Sequence, residues 1–347
     1  MRTTLRRAVK LTAAEVLWRL GVPAAVARVR LRRQVVVLTY HRVLPDDTVG
    51  RSWSSAAMTV SASTFDRHLE TLRSVLTPLT LEQFVDHVHG RRTSDEPACL
   101  VTFDDGWWDT LDAAVPLLRK HEVPAVVFVP VDCLGSPDGF WQERLGRQLY
   151  EVWNAARRGT PSALLIRILA EYEVSDVLTF EPGGVRDDIR TVVARVKGRG
   201  GELARELVRR LGEVIGPVPG DDIDRLLDRN GVRRLAASGV AIGGHGATHR
   251  VLTELTPSQA AEEARRCMSE LRALLGAPVL AYSYPNGNWN PEIAAATRAA
   301  GFSVAFTTTP GCVSAGDHRQ MSLPRINIHE GSAGTPAMFL ARAVGLL

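Results

Sequence analysis

Short apolar runs alternate with helical stretches along most of the chain, and this alternation limits the possible folds more than any other feature. The runs stand at about residues 35–40, 98–103, 124–130, 239–243, 278–284, 302–307 and 321–328. Helix-start signals lie between several of them: Ser63–Asp66 and Thr80–Gln83 have the pattern of capping boxes, and Thr256 precedes a proline at a first helical position. Strands that alternate with helices favour a parallel sheet or barrel with crossover helices.

Length and composition are typical of one α/β barrel that carries an insertion. The chain has 347 residues, 45% hydrophobic and 23% charged, and barrels with insertions commonly reach this size. We predict the barrel over residues 34–330. Charged helical sequence with two breaks, EPGG and GPVPG, interrupts the alternation at about 140–220 and predicts a helical insertion. Residues 331–347 are expected to form a C-terminal helix.

Membrane-spanning and disulfide-rich classes are excluded. No apolar run approaches the roughly eighteen residues that a membrane span requires. The cysteines have no paired spacing such as C-x-x-C; they are Cys99, Cys133, Cys267 and Cys312. We therefore expect them to be reduced and structural, which suits a cytoplasmic protein.

Positive charge is concentrated in residues 1–33. This segment has nine Arg or Lys residues against Glu15 alone, a net charge of +8 in a chain whose total is +4, so the remainder carries −4. Leucines, valines and Trp18 are interleaved with the arginines, a pattern typical of an amphipathic helix lying on an anionic membrane. A solvated helix packed on the barrel is an equally good interpretation. Nucleic acid is not expected as a partner because the rest of the chain is acidic, and no apolar core typical of a secretory signal follows the first charges.

Polar side chains stand at the ends of five predicted strands. In chain order they are His41; Asp104 and Asp105; His245 and His249; Asn286, in the turn YPNG; and Arg325 with His329. In an α/β barrel the loops that follow the strands build the active site. We therefore expect these side chains to meet on one face of the barrel.

Two histidines four residues apart and one aspartate are a ligand set suited to a divalent metal with open positions for water and substrate. Successive side chains on a strand point to opposite faces, but a twist at the strand end lets both Asp104 and Asp105 reach one pocket. One carboxylate would bind the metal and the other would stay free as a base. The alternatives are a helix cap or turn for the aspartates and a simple strand end for His41.

The motifs TFDDG, HGATH and YSYPNG, in this order, resemble those of the NodB-homology polysaccharide deacetylases. The resemblance implies a distorted (β/α) barrel and a metal-dependent enzyme that removes N-acetyl groups from sugar polymers. The early LTYHRV further resembles the circularly permuted branch that includes the poly-N-acetylglucosamine deacetylases of exopolysaccharide synthesis. In that branch a histidine near the start of the chain replaces the histidine of the last motif.

The resemblance also implies roles for single residues. Asp104 is implied as the catalytic base and the backbone N–H of Asn286 as the oxyanion donor. His41 is favoured as the general acid over its rival His329. The implied ligands of one divalent ion, zinc with cobalt or nickel as alternatives, are Asp105, His245 and His249. The family's third motif usually has an arginine before its proline and a tyrosine after it, and YSYPNG has neither; Arg325 is our candidate to replace that arginine.

The implied substrate is an N-acetylated glycan or a lipid-linked sugar, in exopolysaccharide or cell-surface glycan synthesis. An acetyl-ester hydrolase on the same scaffold is one alternative. A non-catalytic carbohydrate-binding protein is another, and is less expected because the base and all the ligands are present. Four tryptophans fit a sugar substrate, but packing is the better interpretation of each, and none is assigned to catalysis: Trp107, Trp108, Trp141 and Trp289.

Overall fold

The structure is a computed structural model and describes residues 2–93, 95–136, 139–159 and 161–346. The chain divides into two compact units. The first consists of Met1–Val49, Ala56–Leu134 and Leu227–Leu347, and the second of Gly50–Ser55 and Gly135–Leu226.

All strands of the described residues lie in the first unit. They are β1 (Gln34–Tyr40), β2 (Arg42–Leu44), β3 (Thr59–Ser61), β4 (Thr77–Pro78), β5 (Ala98–Phe103), β6 (Ala125–Val129), β7 (Ala241–Gly244), β8 (Ala281–Ser283), β9 (Val304–Phe306), β10 (Cys312–Ser314) and β11 (Ile326–Asn327). The main sheet has the order β10-β1-β5-β6-β7-β8-β9, with β11 beside β1 and β4 beside β5. From β1 to β9 along this order every neighbouring pair is parallel.

The strands form because their side chains are buried on both faces of the sheet. All six residues of β5, ACLVTF, are buried, as expected for a parallel sheet covered on both sides. In β1, Val35 and Val37 join an interior cluster, whereas Val36 and Leu38 pack towards the surrounding helices. This alternation follows from the two-residue period of a strand.

An irregular segment completes the barrel between β9 and β1. Leu323 makes a parallel bridge to Phe306 at the end of β9. β11 pairs in parallel with the carboxyl half of β1, and β10 pairs antiparallel with its amino half. Arg325 lies in this segment, where a regular barrel would have a continuous strand. The prediction of a distorted (β/α) barrel is confirmed.

The helices begin close to the positions that the sequence signals indicate. They are α1 (Arg2–Arg19), α2 (Val22–Arg30), α3 (Ala62–Val75), α4 (Leu81–Val88), α5 (Val115–Lys120), α6 (Trp141–Arg158), α7 (Ala163–Glu171), α8 (Val185–Lys197), α9 (Gly201–Ile215), α10 (Arg229–Ala237), α11 (Pro257–Leu275), α12 (Pro291–Ala299), α13 (Glu330–Ala333) and α14 (Pro336–Ala343). None of the described helices is both long and apolar enough to cross a membrane.

Two of the predicted helix starts are confirmed and one is wrong. Thr80 and Thr256 form capping boxes at the starts of α4 and α11. The proposed box at Ser63–Asp66 is wrong, because α3 begins at Ala62 and Ser61 is its N-cap, with the Ser61 Oγ accepting a hydrogen bond from Thr64 N–H at 3.2 Å. Ser61 ends the paired strand β3, and this tertiary pairing moves the helix start two residues earlier.

The second unit has its own helical core. Side chains of α6, α7, α8 and α9 form a separate apolar cluster, which also includes Trp53. The short segment Gly50–Ser55 joins this unit through Asp224, whose buried carboxylate accepts hydrogen bonds from the Ser52 hydroxyl at 2.6 Å and from the Trp53 N–H at 2.7 Å. The sequence pattern at about 140–220 did not indicate that residues 50–55 take part.

Candidate metal and catalytic site

The predicted site residues follow directly after parallel strands of the barrel. Asp104 and Asp105 follow β5, His245 follows β7, and His41 follows β1. Because these strands run in the same direction, their carboxyl ends lie along one rim. The structure thus brings residues that are up to 204 positions apart in the chain to one place.

Asp105, His245 and His249 form a compact group. The Asp105 Oδ1 lies 3.3 Å from the His245 Nε2 and 3.1 Å from the His249 Nε2. One potential ligand atom from each residue lies within 4.8 Å of the others. Asp105 and His245 are buried, and His249 is partly exposed.

The hydrogen-bonding pattern of His245 shows that this donor set fits a divalent metal. The His245 Nδ1 lies 2.7 Å from the Ser283 carbonyl oxygen; a carbonyl can only accept, so the Nδ1 carries the proton. In the neutral ring the Nε2 then presents a lone pair to the Asp105 carboxylate. A divalent cation between these two acceptors would satisfy both of them, and a histidine whose other nitrogen donates to a carbonyl is the usual ligand arrangement.

The loop that presents His249 is held by a residue that the sequence analysis missed. The buried Glu263 carboxylate of α11 accepts hydrogen bonds from Ala247 N–H at 2.7 Å, from Thr248 N–H at 2.9 Å and from the Thr248 hydroxyl at 2.6 Å. His249 itself has φ 59°, a conformation that needs support in a non-glycine residue. A signal was available, because Glu263 stands on the otherwise apolar buried face of α11.

Asp104 forms a buried ion pair with Arg325. The Arg325 Nη1 and Nη2 donate to the two carboxylate oxygens at 2.8 and 2.7 Å. The Ser283 hydroxyl donates to the Asp104 Oδ2 at 3.2 Å. Burial alone would raise the pKa of Asp104, but the charge and hydrogen bonds of Arg325, together with the charges of His245 and His41, hold the pKa below its usual value. The carboxylate is therefore ionised and held in one orientation.

His41 and His329 occupy different positions relative to the aspartates. Burial lowers the pKa of His41, and the negative charges of Asp105 and Asp104 oppose this effect. Burial also lowers the pKa of His329, with the charges of Arg342 and His41 acting in the same direction. Each ring has a buried Nδ1 without a hydrogen-bond partner among the described residues. The charges of both aspartates thus act on His41, whereas the charges that act on His329 are those of Arg342 and His41.

Asn286 lies in the turn that follows β8, with φ 59°. Its side chain is exposed and donates to the Asn288 Oδ1 at 2.6 Å. Asp105, His249 and Asn286 all have positive φ, which few non-glycine residues adopt and which often marks functional sites.

Trp107 is the second residue that the sequence analysis missed. It was interpreted as packing, and it is fully buried, but its indole N–H also donates to the Asp105 Oδ2 at 3.2 Å. No sequence signal indicates this contact, because it depends on the turn at Asp105 and Gly106, both with positive φ. Trp108 instead donates to Asp112.

The rim of the parallel barrel thus combines an Asp-His-His group, which could hold a metal ion, with a second, arginine-paired aspartate. The family model for polysaccharide deacetylase matches residues 215–305, which include HGATH and YSYPNG but not TFDDG. The putative polysaccharide deacetylase YxkH of Bacillus subtilis (strain 168) is 28% identical over 104 residues, 30% of this chain and 37% of that protein. The chain therefore matches little more than a third of that relative's length.

Solved structures support the same fold over nearly the whole chain. The Streptococcus pyogenes deacetylase PplD, in complex with acetate, is 16% identical with a TM-score of 0.56, over 90% of this chain and 98% of its own. IcaB from Ammonifex degensii is 20% identical with a TM-score of 0.56, over 89% of this chain and 97% of its own. The predicted resemblance to the NodB-homology polysaccharide deacetylases is confirmed.

Proposed function

We propose that this protein is a metal-dependent hydrolase that removes N-acetyl groups from an amino-sugar glycan. The observation that carries the proposal is the Asp105, His245 and His249 group beside the buried Asp104–Arg325 pair, all at one rim of the barrel. The polysaccharide deacetylase match and the fold support it. The glycan could be an exopolysaccharide, another cell-surface polymer or a lipid-linked sugar.

In this proposal one divalent ion, zinc in preference to cobalt or nickel, is held by Asp105, His245 and His249. Bound there, such an ion supplies Lewis acidity, which lowers the pKa of water and polarises a carbonyl oxygen. The neutral tautomer of His245, held by the Ser283 carbonyl, keeps its Nε2 available as a ligand.

Asp104 acts as the general base towards the attacking water. Its carboxylate is ionised and is held by Arg325 and Ser283. Base catalysis by a positioned carboxylate typically contributes about 10²- to 10⁴-fold. The orientation that Arg325 imposes allows Asp104 to take a proton without competing as a metal ligand.

His41 supplies the proton that the departing amine needs, and the backbone N–H of Asn286 stabilises the oxyanion. His41 is preferred to His329 because its ring interacts with both aspartates. Donors of the kind assigned to Asn286 are worth about 2.7–4 kcal/mol where they have been removed from other enzymes. The products are acetate and a free amino sugar; the similar PplD was solved in complex with acetate.

Release of acetate from matched substrates tests the proposal. A hydrolase of N-acetyl groups releases acetate faster from an N-acetylglucosamine oligomer than from a glycan that is O-acetylated and has no N-acetyl groups. Faster release from the O-acetylated glycan would support an acetyl-ester hydrolase, and release from neither would support a carbohydrate-binding protein.

We also propose that the basic segment of residues 1–33 contacts an anionic membrane surface of the cytoplasm. Part of α1 packs on the protein, because Ala14 lies against Ala337 and Met338 of α14. However, Leu20 and Val29 are 71% and 80% exposed, and exposed apolar side chains among arginines favour an interfacial position.

The test is binding to vesicles with and without phosphatidylserine. Leu20→Gln combined with Val29→Gln should reduce binding to the anionic vesicles, whereas Leu164→Gln, at an exposed position of the helical unit, should not. Deletion of residues 1–33 is less suitable, since it would uncover α14. Equal binding by all variants would contradict membrane contact through this segment.

A further inference from the structure

The two oxygens of the Asp105 carboxylate have different partners. The Oδ1 faces the Nε2 atoms of His245 and His249 at 3.3 and 3.1 Å. The Oδ2 accepts a hydrogen bond from the Trp107 indole N–H at 3.2 Å. An indole N–H can only donate, so it keeps the Oδ2 turned away from the imidazoles and leaves the Oδ1 as the oxygen directed at them.

The turn between these residues explains how the indole returns to the carboxylate. Asp105 and Gly106 have φ 76° and 70°, so two successive left-handed residues reverse the chain immediately after β5. A Cβ at Gly106 would lie 2.9 Å from the Val129 side chain. The position therefore requires glycine both for its φ and for its close approach to β6.

The Trp107 ring is fixed from its other side by a buried ion pair. The Arg42 guanidinium lies 4.1 Å from the ring centroid, within the range of a cation–π contact. The Asp109 Oδ2 accepts from the Arg42 Nε at 3.0 Å and from its Nη2 at 2.9 Å, and the Asp109 Oδ1 accepts from Val43 N–H at 2.9 Å. Arg42 is fully buried. Its guanidinium thus contacts the Asp109 carboxylate and the Trp107 ring, and the Trp107 indole N–H in turn contacts the Asp105 carboxylate.

We propose that Trp107 is a positioning residue for the metal site: its indole N–H holds the Asp105 carboxylate so that the Oδ1 is presented, together with His245 and His249, to a divalent cation. Arg42, the residue after His41, packs against the Trp107 ring. Through this contact, residues that follow β1 help to position Asp105, which follows β5. This inference rests on the proposed metal site. A tryptophan that only fills space would not need its N–H.

The chain offers a matched control for this hydrogen bond. Trp108 is the next residue, and its indole N–H donates to Asp112 rather than to the Asp-His-His group. Trp107→Phe and Trp108→Phe thus remove the same group from adjacent positions, and the first alone removes a partner of Asp105.

The experiment is titration of the full chain, freed of metal with EDTA, by Co²⁺, followed by the visible d–d absorption band. The wild type and Trp108→Phe should bind one equivalent with the same affinity and band. Trp107→Phe should bind Co²⁺ about 10- to 100-fold more weakly, the usual effect of losing a hydrogen bond to a metal ligand, with a band altered in position or intensity. If Trp107→Phe does not fold, 3-benzothienylalanine at position 107, which keeps the bicyclic ring but has sulfur in place of the N–H, serves in its place.

Two results would overturn the positioning role while leaving the metal site intact. One is wild-type Co²⁺ affinity and band in Trp107→Phe, whatever its thermal stability. The other is wild-type affinity and band in the 3-benzothienylalanine protein, which keeps the bicyclic ring without the N–H, beside a loss in Trp107→Phe; this pattern would indicate a packing effect. A wild type that binds no Co²⁺ would instead reject the proposed metal site, and the positioning role with it.

Discussion

Arg325 and Asp104, 221 positions apart in the chain, form a buried bidentate ion pair with N–O distances of 2.8 and 2.7 Å. The guanidinium also donates to the Thr307 carbonyl and to the Ser283 hydroxyl, at 2.9 Å each. The planar fork of arginine matches a carboxylate in a way that lysine cannot. This pair orients the proposed base and keeps it ionised.

Arg325→Met should therefore shift the pH dependence of the reaction. Asp104 must be ionised to act as a base, and Arg325 lowers the pKa of Asp104; loss of the guanidinium raises that pKa. The acidic limb of the kcat/KM profile should move to higher pH, because a larger fraction of Asp104 is then protonated at any given pH. The pH profile with an N-acetylated oligomer measures this shift.

Arg298→Met is the control for this variant, because Arg298 is exposed on α12 and its Nη1 donates to Gln320 at 3.3 Å. Its pH profile should match the wild type. An unmoved acidic limb in Arg325→Met, with metal still bound, would show that Arg325 does not control Asp104.

The regular strands of the barrel could be predicted, but the closure of the barrel could not. β1, β5 and β6 are buried on both faces, so they appear in the sequence as continuous apolar runs. β4 and β11 have two residues each, too few for any periodic pattern, and they form only because a neighbouring strand is in place. The contact of Arg325 with Asp104 depends on that closure. Arg325 could therefore be named as a candidate from the sequence, but its contact with Asp104 could not be predicted.

That Asp105, His245 and His249 lie together could be predicted, because their residue types and spacing are those of a proposed metal site. The residues that hold it could not. Glu263 acts on backbone N–H groups of the 247–248 loop, and Trp107 acts through a turn at Gly106. Both contacts depend on the backbone conformation of loops that contain residues with positive φ. Sequence patterns do not predict such conformations reliably.

Alanine variants of His41 and His329 show which of the two histidines is the general acid. His41→Ala should keep its metal and lose about 10²- to 10⁴-fold in turnover of an N-acetyl substrate, because an amine needs a proton to leave. An aryl ester, with a better leaving group, should lose less. His329→Ala should stay near the wild type on both substrates. The reverse pattern would make His329 the acid and the end of β1 structural.

Glu263→Gln should weaken metal binding about 10- to 100-fold. The carboxylate accepts three hydrogen bonds from Ala247 and Thr248. In the glutamine variant an NH₂ group replaces one carboxylate oxygen, and this group can donate but cannot accept a hydrogen bond from the loop. The dissociation constant for Zn²⁺, measured by competition with a chromogenic chelator, reports the change. Glu262→Gln is the control, since Glu262 lies on the same helix, is 51% exposed and pairs with Arg265; equal affinities in the two variants would reject this role of Glu263.

His68 should make the protein less stable in acid. Burial lowers its pKa to about 4; the Nε2 lies 2.6 Å from the Ala333 carbonyl oxygen and the Nδ1 lies 3.2 Å from the Tyr40 hydroxyl, so the neutral ring uses both nitrogens. The unfolded chain binds this proton at about pH 6.5. The contribution of His68 to the free energy of unfolding is therefore fully present above pH 6.5. It is lost as the pH falls towards 4, and the loss amounts to about 3 kcal/mol.

Urea unfolding at several pH values measures this loss. His68→Gln should reduce the slope of the unfolding free energy between pH 6.5 and 4, and His318→Gln, at an exposed position, should leave it unchanged. The same slope in wild type and His68→Gln would show that His68 does not contribute.

The most direct test of the account is acetate release from an N-acetylglucosamine oligomer by Asp104→Asn, with the zinc content of the same sample determined. Asn keeps the shape of the side chain and leaves Asp105, His245 and His249 unchanged. The account predicts one zinc per chain and a loss of acetate release of about 10²- to 10⁴-fold relative to the wild type. Wild-type acetate release from Asp104→Asn, or release by the wild type that persists after its zinc is removed, would contradict it.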